Sequence, residues 1–167
     1  RTKEEAKLIS EARKQGVSVP IIYDIDLNNG ILSMQYIKGE RIKDIFDKID
    51  NKKRKNLCLK IGESIAKLHN HDIIHGDITT SNMILYNEKI FFIDFGLGEI
   101  NNEVEAKGVD LHVLMEAIES THSKNSDYFN YVLIGYKKEY NKDSKIVEKK
   151  IKEIIKRGRY RWKHCIL

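Results

Sequence analysis

The sequence predicts an α+β fold of two unequal lobes, a helix and a hairpin followed by a mostly helical body. Three observations carry this. Two strand-like runs, Ile21-Ile22-Tyr23 and Ile31 to Ile37, flank the turn signal Asn28-Asn29-Gly30. A long amphipathic helix spans about 52–70, where Leu57, Ile61, Ile65 and Leu68 make one apolar stripe. A second, shorter hairpin, Met83 to Tyr86 and Ile90 to Ile93 around Asn87-Glu88, interrupts an otherwise helical C-terminal half.

The remaining elements follow in order. Residues 3–15 read as a helix, with Ala6, Ile9 and Ala12 at helical spacing and Gly16 as a stop. Pro20 opens the first hairpin and Gly39 ends it, and a short helix follows near 41–49. Helices near 106–120, 126–140 and 144–157 complete the body. The division falls between 1–37, a partial first lobe, and 38–167. With 167 residues, 41% hydrophobic and 33% charged, the chain can bury a core without disulfides, and Cys58 and Cys165 read as incidental thiols of a reducing cytosol. No run approaches the ~20 apolar residues that span a bilayer, and Glu4-Glu5 after Arg1-Thr2-Lys3 is unlike a secretory signal, so a cytoplasmic protein without membrane contact is expected.

Charge is concentrated at one end. Residues 145–164 hold nine Lys and Arg against two Glu, so that segment carries +7 within a chain of +5. Such an end suits a phosphate backbone or an acidic partner, or simply a solvated helix face.

The chemistry lies in His75-Gly76-Asp77-Ile78-Thr79-Thr80-Ser81-Asn82, followed twelve residues later by Asp94-Phe95-Gly96. Phosphoryl transfer from ATP needs Mg2+ held by hard oxygens, which a carboxylate and a carboxamide supply. It also needs a second carboxylate to orient the attacking hydroxyl or water. Asp77 and Asn82 on a loop, with Asp94 beyond the hairpin, can converge in this way. H-x-D-x-x-x-x-N and then D-F-G match six fixed residues in order, which points to a protein-kinase-like two-lobed fold with a truncated N-lobe. The remaining histidines show no ligand spacing and read as structural or surface residues.

The chain resembles the C-terminal three-quarters of the small KEOPS-complex kinase, the archaeal and eukaryotic family partnered with the tRNA threonylcarbamoyladenosine synthase. The resemblance rests on Arg1-Thr2-x-x-Glu5-Ala6, Gly16-Val17-x-Val19-Pro20 and the distinctive Thr79-Thr80-Ser81-Asn82-Met83. It continues through Ile93 to Gly98, Lys107-Gly108-Val109-Asp110-Leu111 and Arg157-Gly158-Arg159-x-Arg161. It implies an atypical serine/threonine kinase or ATPase using ATP and Mg2+, with Asp77 catalytic and Asn82 and Asp94 on the metal. Glu5 would pair with an ATP-positioning lysine, Met34 would be the gatekeeper, and Gln35 and Ile37 would hold adenine above a floor of Ile84 and Ile93. Asp110 would brace the catalytic loop. A basic tail of Arg157, Arg159, Arg161 and Lys163 would reach tRNA or the synthase, and other KEOPS subunits are expected partners.

Departures from ordinary protein kinases are also informative. Gly76 replaces an arginine that would grip a phosphorylated loop, Thr79 replaces a lysine, and only thirteen residues separate Gly96 from Asp110, with no A-P-E. A poor protein kinase on its own is expected. The glycine-rich loop and ATP-positioning lysine are not in the sequence, since in the family they precede Arg1, so the chain as given is expected to bind ATP weakly or not to turn it over. The competing expectations are a free-standing small-molecule or protein kinase, and a non-catalytic scaffold between synthase and tRNA.

Overall fold

A computed structural model describes residues 1–122 and 127–164, with side chains through 159 in the last helix. Helix α1 (Thr2–Lys14) buries Ala6, Leu8, Ile9 and Ala12. It ends in a Schellman motif: Gly16 N–H donates to Arg13 O and Val17 N–H to Ala12 O, with Gly16 at φ +78°. Strands β1 (Ile22–Asp26) and β2 (Ile31–Met34) form an antiparallel hairpin in which Asp26 faces Ile31 and Ile22 faces Met34. The Asp26 carboxylate closes the turn by accepting the Asn28 and Asn29 N–H groups at 3.0 and 3.1 Å.

The second hairpin, β5 (Met83–Tyr86) with β6 (Lys89–Phe92), turns through Asn87 and Glu88, both at positive φ as a two-residue hairpin turn requires. It gains a third strand the sequence did not suggest, β3 (Glu40–Arg41), whose Glu40 faces Leu85. Gly39 permits that approach, because a Cβ there would lie 2.3 Å from the Leu85 carbonyl oxygen. Helix α2 (Ile42–Ile45) is shorter than expected.

Helix α3 (Asn51–Asn70) starts on Asp50, whose carboxylate accepts the Lys53 N–H. It packs on α5 (Tyr128–Glu139) at backbone contact. A Cβ on Gly62 would stand 1.9 Å from Val132 O, and one on Gly135 2.0 Å from Leu59 O. Helix α4 (Val104–Thr121) packs on α6 (Ser144–His164), with Gly108 against the Lys150 stem. The core joins α1, α3, α4 and α5 with the inner face of the β5–β6 hairpin: Ile9, Phe46, Ile61, Ile65, Phe92 and Leu114 are all within it. Two-residue strands β4 (Ile73–Ile74) and β7 (Glu99–Ile100) pair antiparallel across the neck of the segment between them. The basic C-terminal stretch, expected as a tail after 157, is the last two turns of α6.

Candidate active site

The segment closed by β4 and β7 carries the motif residues, and its shape comes from buried polar groups. Asp110 on α4, 1% exposed, accepts three hydrogen bonds: His75 N–H (2.9 Å) and His69 Nε2 (3.1 Å) on Oδ2, and Gly76 N–H (2.9 Å) on Oδ1. His69 extends the chain inward through its Nδ1, 3.0 Å from the Tyr136 hydroxyl. Burial, reinforced by Tyr140, pushes the Tyr136 phenol up, so it stays protonated and donates to His69. Asp110 thus braces the loop as expected, and the sequence reading missed that His69 and Tyr136 stand behind it. The signal was present: Cys58, Gly62, Ile65 and His69 recur on the buried face of α3, and a histidine on such a face needs partners.

His75 is fully buried, with its ring 4.4 Å from that of Phe95. Its Nε2 lies 3.1 Å from Ile93 O, which can only accept, and its Nδ1 takes the Asp77 N–H at 3.2 Å. Both bonds fit the neutral Nε2–H tautomer, and burial holds the imidazole below its usual pKa, against smaller opposing pulls from Asp110, Asp77 and Asp94. His75 therefore ties the loop to the hairpin end. Gly76 is explained sterically: its φ is +86°, and a Cβ would lie 2.2 Å from Leu97 O.

Asn82 ends a 3₁₀ turn (Thr80–Asn82), and its Nδ2 donates to both Asp77 O (3.0 Å) and Asp77 Oδ2 (2.9 Å). The carboxamide nitrogen is occupied, which leaves its oxygen outside these bonds. Asn82 O in turn accepts the Ile93 N–H, which fixes the strand leading into Asp94. Asp94 is exposed and adopts φ +62°, a left-handed conformation costly for a non-glycine residue. Its Oδ1 accepts the Gly96 N–H at 3.3 Å. Glu5 on α1 faces this end: its carboxyl is raised first by burial and then by the Asp94 charge, while Arg1 acts in the opposite sense. Asn82 is thus bonded to Asp77 and to the strand that leads into Asp94, and Asp94 acts on Glu5. Carboxylate and carboxamide oxygens are the kind of hard donor Mg2+ takes.

The other predicted residues lie as follows. Met34 ends β2, and Gln35 is held by its N–H to Ile21 O (2.7 Å) and by its side chain to Ile21 N–H (3.2 Å). Ile37 is buried. Ile84 faces Phe91 across the hairpin, so it shares a sheet face with the alternate position Ile93, and both are half-buried. Arg157 is engaged by Glu105 and Arg159 is exposed; the side chains of Arg161 and Lys163 lie outside the described residues, as does Cys165.

The fold class is that of the protein-kinase-like proteins. A crystal structure of a choline/ethanolamine kinase family protein from Mesorhizobium loti matches 90% of this chain and 66% of its own, with TM-score 0.63 at 17% identity. The RIO domain model matches residues 1–107. The KEOPS complex subunit Bud32 of Pyrococcus abyssi is 46% identical over 163 residues, 96% of this chain and 74% of that protein. A probable bifunctional tRNA threonylcarbamoyladenosine biosynthesis protein of Methanobrevibacter smithii is 48% identical over 161 residues, but the chain spans only 29% of its length. The chain belongs to the RIO domain family and, within it, to the Bud32 group of KEOPS subunits.

Proposed function

We propose that the chain is an ATP- and magnesium-dependent atypical kinase or ATPase, the subunit of a KEOPS-type assembly that serves tRNA threonylcarbamoyladenosine formation. The observation that carries the catalytic part is the Asn82–Asp77 bond, with Asn82 also holding through its carbonyl the strand that leads into Asp94. Bound Mg2+ would neutralise charge developing on the transferred phosphoryl group. Asn82 and Asp94 would hold it through side-chain oxygens. Asp77, fixed through its backbone N–H by His75 and through Oδ2 by Asn82, keeps Oδ1 to orient the attacking hydroxyl or water. Adenine would rest between Ile84 and Ile93, beside Met34, against the Gln35 and Ile37 backbones, with the lobes dividing after residue 37. Glu5 would receive an ATP-positioning lysine.

The likeness to the Pyrococcus abyssi subunit supports further KEOPS subunits as partners, and that to the Methanobrevibacter smithii protein supports the threonylcarbamoyladenosine synthase and tRNA. Among the described residues no helix is long and apolar enough to cross a membrane, and the cytoplasm is the proposed location. The test is ATP turnover by the natural full-length protein, alone and with synthase and tRNA, with Asp94→Ala as control. Turnover that rises with both and vanishes in the variant is expected. Turnover indifferent to them would indicate a free-standing kinase, and none at all would leave a scaffold.

A further inference from the structure

His69 backs the start of the catalytic loop through Asp110, and a second buried histidine, His122, backs its end. His122 follows the last turn of α4 and is 2% exposed. Both of its ring nitrogens are engaged. Nδ1 lies 2.8 Å from Asp47 Oδ2, and Nε2 lies 3.4 Å from the hydroxyl of Thr80, which is itself buried. A carboxylate only accepts, so Nδ1 carries the proton that faces Asp47, and the neutral ring accepts the Thr80 hydroxyl at Nε2.

Both ends of this chain of bonds are anchored. The Arg54 guanidinium on α3 donates to the carbonyls of Phe46 (2.7 Å), Ile49 (2.8 Å) and Asp47 (3.3 Å), and the Phe46 ring lies 4.4 Å from that of His122. At the other end Thr80 opens the 3₁₀ turn that closes on Asn82, whose N–H donates to Thr79 O at 3.0 Å. The chain therefore runs from α3 through Asp47 and His122 to the turn that presents the Asn82 carboxamide. Stability alone is a poor reason to bury it. Well-packed apolar side chains in place of buried polar groups are often as stable, whereas a fully bonded polar network rigidifies one geometry.

We propose that His122, held by Asp47, is a positioning residue for the reaction: through the Thr80 hydroxyl it fixes the 3₁₀ turn and with it the aim of the Asn82 side chain. The part in catalysis rests on the ATP-dependent function proposed above; the brace itself rests on the hydrogen bonds.

The test compares the natural full-length protein with Thr80→Val, which keeps the shape and removes the hydroxyl, with Thr80→Ser, which keeps the hydroxyl, and with His122→Phe. Ile151→Val, in the buried face of α6 and outside this chain of bonds, controls for lost stability. Without nucleotide or metal, hydrogen exchange at the Asn82 amide should speed up roughly five- to tenfold in Thr80→Val and His122→Phe. It should keep the parental rate in Thr80→Ser and Ile151→Val. With ATP and Mg2+, kcat should fall about 10- to 100-fold in the first two, the loss expected of a group misplaced by ~1 Å, while KM for ATP changes by less than about twofold. The serine should restore kcat, and Ile151→Val should lower Tm without lowering it. Parental exchange at Asn82 in Thr80→Val would overturn the brace. Parental kcat in a variant whose Asn82 amide exchanges faster would overturn the positioning role, as would an equal loss of kcat in Ile151→Val. A parent without ATP turnover, in which exchange at Asn82 still depends on the Thr80 hydroxyl, would uphold the brace and refute the enzymatic reading alone.

Discussion

Replacing Asp110 by asparagine tests whether the loop is held by one buried carboxylate. Both oxygens are in use: Oδ2 by the His75 N–H and His69 Nε2, Oδ1 by the Gly76 N–H. A carboxamide can satisfy only one side, since its NH2 must then face another donor. The cheaper orientation orphans the Gly76 N–H, which costs about 1–3 kcal/mol, and turns two charge-assisted bonds into neutral ones for about 1 kcal/mol more. The sum is roughly 2–4 kcal/mol. At about 2–4 °C per kcal/mol for a chain of this size, Tm should fall by roughly 4–16 °C. Thermal unfolding followed by circular dichroism reads this directly, and hydrogen exchange should show the Gly76 amide losing protection first. A Tm within about 2 °C of the parent, with that amide still protected, would refute the bracing argument.

Three further outcomes follow from the same structure. Gly62→Ala drives a Cβ into the Val132 carbonyl and should destabilise by roughly 3 kcal/mol, whereas Gly158→Ala, on a helix with nothing within 4 Å, should stabilise by about 0.5–1 kcal/mol in urea unfolding; equal effects would refute the close α3–α5 contact. The depressed pKa of His75 means the unfolded chain takes up a proton below about pH 6.5 that the native state refuses, so stability is intact above that pH and falls on acidification by up to about 1.4 kcal/mol per unit. A His75→Gln variant with the same slope between pH 7.5 and 5.5 would assign the loss to other groups. The Cys58 thiol, fully buried and pushed up to about 12 by burial, should resist Ellman's reagent in native Cys165→Ser protein and react only on denaturation.

The motif that points to the family was legible because it depends on residue type and spacing: Asp77, Asn82 and Asp94 need no tertiary information to be recognised, and α3 announced itself by its apolar stripe. Strands β3, β4 and β7 did not, since pairings of two residues such as Ile73 with Ile100 arise from where the chain is brought and carry almost no propensity. The end of α6 was misjudged for a related reason. The helix was expected near 144–157, but a glycine such as Gly158 costs only about 1 kcal/mol in a helix, which the contacts of Val147 and Ile151 upstream can outweigh. Gly76 was read as a missing arginine, and only the carbonyl of Leu97 beside it shows why a side chain has no room.

The short β4–β7 pairing has an evolutionary side. It clasps both ends of the stretch that holds His75, Asp77, Asn82 and Asp94, so the motif residues form a cassette with a single neck. Length changes in the α4–α5 connection, or at either terminus, need not pass through that neck. Such a chain can be fused to other modules, or exchange the helices around its clasp, while the spacing of its acids stays constant.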